Sequence, residues 1–201
     1  MPVVQPNQFP SSYQAELLDR LPTLIEEPRQ FVFPAQIEEV ERGALIVRVR
    51  PQTVQQWVGI FARGFDSERA ITGLFSTPHA DWLCAVSGGY AYLVDANQPE
   101  QWHFVKARPV VEIRTAIDAG ALIFADFQSV SGFTSEARLW QTAPLSWEGL
   151  KITAINDLEL QGLGWDAFRD RDIPFTVHLH TGEHRGGAAP KVAQHHSHLV
   201  G

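Results

Sequence analysis

The run Trp82-Leu83-Cys84-Ala85-Val86-Ser87-Gly88-Gly89-Tyr90-Ala91-Tyr92-Leu93-Val94-Asp95 decides the fold class. Two short apolar segments flank a glycine pair, and adjacent glycines accept the positive φ angles that a tight hairpin turn demands. Both segments are too short for a helix and carry β-branched and aromatic residues. The reading is strand, turn, strand. Pro78-His79-Ala80-Asp81 is a turn leading in from a strand at Ile71 to Thr77, and Gln101 to Lys106 adds a fourth strand. The stretch therefore holds one small antiparallel sheet.

Comparable strands restart on either side of it. Ile71, Val110 and Leu150 each open an apolar strand, roughly forty residues apart, and a weaker counterpart begins at Phe31. In the next unit, Val110 to Thr115 turns at Gly120 into Ala121 to Phe127, followed by Val130 to Thr134 and Arg138 to Thr142. In the last, Leu150 to Ile155 runs through Asn156-Asp157 into Leu158 to Leu163, and Ile173 to His180 closes the set. A three-residue turn at Ile155-Asn156-Asp157 sets Ala154 against Leu158 and Ile152 against Leu160, which keeps one face apolar. Upstream, Glu41-Arg42-Gly43 turns into Ala44 to Arg50, and Pro51-Gln52-Thr53 turns again into Gln56 to Phe65. The expectation is an all-β chain of three to four antiparallel blade-like sheets, propeller-like, with a β-sandwich or barrel as the alternative. Trp57, Trp82, Trp102, Trp140, Trp147 and Trp165 mark the units as fillers between sheets. A ligand pocket lined by Trp82, Trp102 and Trp140 is the other reading.

The ends differ from this middle. Residues 1–30 read as a Pro-rich arm with a short helix, Ser11 and Ser12 capping Gln14 to Leu21 and Pro22 ending it. Its stripe of Leu17, Leu18 and Leu21 docks on the sheet or serves as a handle for a partner. Residues 31–187 form the repeat-built β domain. Residues 188–201, with His195-His196-x-His198, read as a flexible His-rich tail.

The rhythm around Gly88-Gly89 resembles one blade of a β-propeller. The ending Pro174-Phe175-Thr176-Val177-His178-Leu179-His180-Thr181-Gly182-Glu183-His184-Arg185-Gly186-Gly187 resembles the closing strand and turn of uncharacterised bacterial proteins of unknown function. The resemblance covers roughly residues 31 to 187 and implies architecture without an activity. No Gly-His and Trp-Asp pair recurs in each unit, so this is not a regular WD-type array; Trp165-Asp166 occurs once.

Composition narrows the function classes. A net charge of -7 with scattered Lys and Arg argues against nucleic acid as a partner. No apolar run approaches the roughly 18 residues of a membrane span. Met1 to Pro6 has no basic segment followed by an apolar core, and the single cysteine, Cys84, points to a reducing compartment. The expected setting is cytoplasmic, bacterial in style, with Cys84 as a buried small hydrophobe.

One pattern suits chemistry. Residues two apart on a strand share a face, so His178 and His180 reach one metal. A two-residue turn at Thr181-Gly182 would set Glu183 opposite His180 and turn His184 away. Two imidazoles and a carboxylate suit a divalent transition metal with open positions. Asp166, Asp170 and Asp172 lack the glycine and bidentate glutamate of a calcium loop, and Arg169 and Arg171 compete for their charge. No Gly-x-Ser-x-Gly elbow occurs, and Gly162-Leu163-Gly164 is not followed by a helix pattern. The preferred expectation is a non-enzymatic interaction or scaffold module, with a protein partner or homo-oligomer and no cofactor. The alternative is a metal-dependent enzyme using His178, His180 and Glu183.

Overall fold

The computed structural model describes residues 3–4, 8–35 and 43–188, and they contain strands and no helix. The expected turn at Glu41-Arg42 and the His-rich tail beyond Ala188 lie outside the described residues. β1 (Val3–Val4) opens the chain. Sheet I comprises β2 (Tyr13–Leu17), β3 (Gln30–Phe33), β4 (Ala44–Pro51) and β5 (Trp57–Ala62), in spatial order β2-β4-β5-β3. Sheet II comprises β6 (Gly73–Ser76), β7 (Trp82–Ser87), β8 (Tyr90–Asp95) and β9 (Trp102–Phe104), with β1 added parallel to β6. Sheet III holds β10 (Glu112–Ala116), β11 (Ala121–Ala125), β12 (Val130–Thr134) and β13 (Leu139–Gln141). Sheet IV holds β14 (Lys151–Ile155), β15 (Glu159–Asp166), β16 (Arg171–His178) and β17 (His184–Gly186). These are four separate blade-like sheets, as the propeller-like reading expects, and not a two-sheet sandwich or one barrel.

From β6 onward, sheets II to IV are meanders in sequence order, and each starts within two residues of Ile71, Val110 or Leu150. Their likeness extends to turn chemistry. Asp126 Oδ1 accepts the N–H groups of Gln128 and Ser129 after β11 (2.7 and 2.6 Å), and one repeat interval later Asp166 Oδ1 accepts those of Phe168 and Arg169 after β15 (3.0 and 3.3 Å). At the matching place in sheet II, Gly88 and Gly89 take φ of 55° and 77°. Sheet I is no copy of the others. The weaker counterpart at Phe31 is β3, which runs parallel to β5.

The sheets share interiors in pairs. Val47, Val49, Phe33 and Phe61 of sheet I meet Leu83, Tyr92 and Val94 of sheet II. Cys84, Val86 and Leu93 of sheet II meet Leu122, Phe124 and Phe133 of sheet III. Ile123, Val130 and Trp140 of sheet III meet Leu160, Phe175 and Val177 of sheet IV. Among the described residues no apolar cluster joins sheet IV back to sheet I, so the shared interiors follow one another in an open arc from sheet I to sheet IV. Burial follows this order. β7, β11 and β12 are buried at every position because a sheet lies on each side, whereas β4 and β15 alternate because their sheets are terminal.

The short helix expected over Gln14 to Leu21 is instead β2, paired antiparallel to β4 from Tyr13↔Pro51 to Leu17↔Val47. Tyr13, Ala15 and Leu17 turn toward sheet II, and the buried Tyr13 Oη–H donates to the Trp82 carbonyl at 2.9 Å. Glu16, on the other face, pairs with Arg48 and with Arg50. A helix would forfeit these tertiary partners, so propensity loses. Leu17 packs against the interior shared by sheets I and II as part of a strand and not of a helical stripe, and Leu21 stays exposed.

The chain then passes from β2, on one edge of sheet I, to β3 on the opposite edge. This crossover, residues 18–29, lies on the outward face. Glu27 there accepts from Arg48 Nε at 2.8 Å and from Gln56 Nε2 at 2.9 and 3.0 Å, and Arg48 points away from the buried Val47 and Val49. With the crossover in place, Val58 and Ile60 on the outward side of β5 are buried even though their sheet is terminal.

The β14–β15 register also departs from expectation. Asn156 Oδ1 accepts the N–H groups of Leu158 and Glu159, and Asn156 N–H donates to the Glu159 carbonyl, which makes a tighter turn. Ile155 then faces Leu160, Ala154 faces Gln161 and Ile152 faces Gly162, with a bulge between Ile152 and Ala154. The bulge puts both Ile152 and Ile155 on the apolar side, the end that the expected register sought by another route.

Candidate functional site

β15 and β16 carry Leu160, Phe175 and Val177 inward and leave Glu159, Gln161, Thr176 and His178 on the outward face of sheet IV. The outward row at the foot of the sheet is Glu159, His178 and Glu183: Glu159 lies directly across from His178, and His178 N–H donates to the Glu183 carbonyl at 2.8 Å. Together with Thr176, Thr181 and Arg185 they line a shallow cleft of about 620 Å³.

The turn differs from the two-residue form at Thr181-Gly182. β16 ends at His178, and Leu179 turns inward with its N–H on the Leu158 carbonyl at 2.9 Å. Gly182 N–H returns to the His178 carbonyl at 2.9 Å. Glu183 therefore stands opposite His178, not His180, while His184 falls opposite Val177. The rule that i and i+2 share a face holds only while a strand continues, so His180 sits on the exposed turn. Its ring centroid is 5.9 Å from that of His178, at 52°. His178 Nδ1 lies 3.3 Å from Thr181 Oγ1, which also accepts Glu183 N–H at 3.2 Å. Among the described residues no three His, Cys, Asp or Glu side chains are gathered as a metal ion requires. What the cleft offers is hydrogen bonding and charge of both signs.

Other sequence candidates are dispersed. Trp82 packs between sheets II and III, Trp102 against the I–II interior, and Trp140 between sheets III and IV, so these three line no common pocket. Asp166 is buried and organises its own turn, with Oδ2 on Arg169 Nη1 at 2.9 Å, whereas Asp172 reaches Lys151 at 3.5 Å. Cys84 is fully buried, and burial pushes its thiol far above the ordinary range.

Sequence reasoning offered Leu21 as part of a partner handle but missed Leu24 and Ile25, which share the crossover on sheet I with it. Thr23 N–H donates to Glu26 Oε2 at 2.8 Å, Glu26 N–H donates to Thr23 Oγ1 at 3.3 Å, and Glu27 N–H donates to the Thr23 carbonyl at 2.9 Å. Gln30 Nε2 donates to the carbonyls of Pro22 and Glu27 (2.8 and 3.1 Å). Between these ties Leu21, Leu24 and Ile25 are 44%, 66% and 96% exposed. The signal was Leu-Pro-Thr-Leu-Ile-Glu-Glu-Pro, residues 21–28, an apolar segment bounded by prolines with a Thr-x-x-Glu capping pattern.

The ion pairs carry a pH signature. Hydrogen bonds from Arg50 and then Arg48 hold the Glu16 carboxyl below its ordinary range, and the Thr23 amide does the same for Glu26. For Asp166, burial acts upward but the Phe168 and Arg169 amides and the Arg169 guanidinium outweigh it, and the carboxyl is lowered. A depressed folded-state value contributes stability above the ordinary carboxylate pKa and loses it as pH falls through the folded value. Thermal unfolding midpoints should therefore drop as pH falls from about 5 to about 3, carboxylates in the unfolded chain titrating near 4. Asp166→Asn should flatten part of that dependence; a profile unchanged by it contradicts the assignment.

No family model matches this chain, and no curated protein does. Two solved structures are similar over most of its length. A S. cerevisiae complex of a Dbp5 variant bound to Nup159, a Gle1 variant, IP6 and ADP shares 12% identity at a TM-score of 0.36, over 94% of this chain and 53% of that one. The N-terminal domain of Nup159 shares 12% identity at 0.34, over 95% and 55%. The chain spans about half the length of these structures. At such scores the likeness bears on neither site nor function.

Proposed function

We propose that this chain is a non-enzymatic interaction module that engages a protein partner through its loops. One observation carries the reading. Among the described residues, the large hydrophobics left exposed are Leu21, Leu24, Ile25, Val54, Phe65, Ile117, Leu158 and Phe168, and each lies in a connection between strands. Scattered exposed apolar residues need no explanation, but their concentration on loops held by rigid sheets is how binding surfaces are built.

Size-exclusion chromatography with light scattering on native extract, followed by pull-down, tests it. The expected result is a complex larger than the 22.4 kDa chain that survives washing. A strictly solitary monomer in extract contradicts it. The rival reading, a divalent transition metal at His178, His180 and Glu183, is separated by elemental analysis of the full chain. Stoichiometric metal that is lost on changing both His178 and His180 to Ala would favour the rival.

A further inference from the structure

We infer that the crossover on sheet I, residues 18–29, is a strap that opens as a unit while the sheets stay folded, latched by the Glu27 carboxylate against Arg48 and Gln56. The inference stands apart from the interaction reading, since it concerns a movement within this chain and names no partner.

The two ends of the strap are joined to the sheet by backbone. Leu18 N–H donates to the Ile46 carbonyl and Val58 N–H to the Arg29 carbonyl, both at 2.9 Å, and Arg29 Nη1 adds a bond to the Gln55 carbonyl at 2.8 Å. Between those ends the hold is made by polar side chains. Glu27 accepts from Arg48 Nε at 2.8 Å and from Gln56 Nε2 at 2.9 and 3.0 Å, and Gln30 Nε2 reaches the Pro22 and Glu27 carbonyls at 2.8 and 3.1 Å. Apolar packing adds little. Among the described residues, none from 18 to 29 belongs to a shared interior, and between 19 and 28 only Pro22 and Glu27 are buried. A cleft of about 500 Å³, lined by Leu18, Pro22, Glu26, Glu27 and Arg48, lies where the strap meets the sheet. Segments with few buried apolar contacts are the ones that open at low cost while the rest of a domain stays folded.

The sidedness of the strap points the same way. A permanently packed loop turns aliphatic side chains in and carboxylates out. Here Leu24 and Ile25 are 66% and 96% exposed, whereas Glu27 is 6% exposed. The side of the sheet that it crosses is apolar: Val58 and Ile60 project outward from β5, both buried and neither part of the interior shared with sheet II. Releasing Glu27 therefore bares Val58 and Ile60 and changes sheet I from a polar outward surface to an apolar one. Arg48 keeps Glu16 as its second partner when Glu27 leaves, so opening does not strand the guanidinium.

Thiol reactivity in the full chain tests the strap, because the native thiol, Cys84, is fully buried between sheets II and III and reports global unfolding. Val58→Cys puts a second thiol of similar size on the covered side of β5. With Ellman's reagent in native buffer, the introduced thiol is expected to react about a hundredfold faster than Cys84 or more. Its rate should stay nearly flat in sub-denaturing urea, where that of Cys84 climbs with the surface exposed on unfolding. Adding Glu27→Gln should speed the introduced thiol about tenfold, through the loss of charge-assisted bonds to Arg48 and Gln56. An introduced thiol no faster than Cys84, one that tracks Cys84 through the urea series, or one indifferent to Glu27→Gln each overturns the inference. Should Val58→Cys not fold, amide exchange in the unaltered chain decides: Val58 N–H is expected to exchange far ahead of Leu93 N–H in the middle of sheet II, and equal rates overturn the strap.

Discussion

Trp140→Ala lowers the stability of the folded chain by about 3–5 kcal/mol, the cost of removing a large ring from a core that cannot collapse around the loss. Trp140 packs between sheets III and IV. Its ring lies over Gly132, directly across the strand pair, and against Gly182 in the turn of sheet IV; a Cβ at either glycine would overlap the ring. Its Nε1–H donates to the Leu179 carbonyl at 2.8 Å, and that carbonyl is buried. Neither flanking glycine has a side chain to swing into the space. Equilibrium urea unfolding, followed by fluorescence and far-ultraviolet dichroism together, measures the loss. A change below about 1 kcal/mol would mean that the two sheets do not depend on this ring.

Trp57→Ala produces a loss of similar size, about 3–5 kcal/mol, at the other end of the arc. Trp57 is fully buried, its Nε1–H donates to the Ala96 carbonyl of sheet II at 2.8 Å, and the Phe31 ring meets it edge-on at 5.7 Å. The two tryptophans play one role twice. Each bonds a carbonyl 39 residues further along, at the turn after the third strand of the following sheet. They share no neighbours, so the two losses should add. Their sum reaches the 5–15 kcal/mol that holds a typical domain together, and the double variant is expected not to fold. A double variant no less stable than Trp140→Ala alone would show that sheets I and II unfold independently of sheets III and IV.

The central sheets were legible in the chain because burial on both faces writes itself as continuous apolar runs. Trp82 to Ser87 and Ala121 to Ala125 could be placed almost to the residue, and Gly88-Gly89 fixed the turn between β7 and β8. The terminal sheets were harder. Tyr13, Ala15 and Leu17 have a strand period, but Leu17, Leu18 and Leu21 have a helical one, and only pairing with β4 decides between them. The β14–β15 register depended on an Asn156 side chain bonding its own backbone and on a bulge, neither of which leaves a trace in hydrophobic alternation.

The foot of sheet IV was legible in part. Sequence spacing brought His178 and Glu183 together, and they are adjacent, but it could not show that Leu179 is drawn inward by the Leu158 carbonyl, which ends β16 and puts His180 on the turn. The exposed turn at residues 21–28 was hidden for a related reason. Leu24 and Ile25 look like core residues by composition, and only the crossover's path over Arg48 and Gln56 turns them outward.

Nuclear Overhauser spectroscopy on the indole N–H protons tests the open arc most directly. The account predicts cross-peaks from Trp140 to Leu179 and Gly182 and from Trp57 to Ala96, with none linking side chains of sheet IV to those of sheet I. Strong cross-peaks between β15 or β16 and β4, or the absence of both indole contacts, would contradict it.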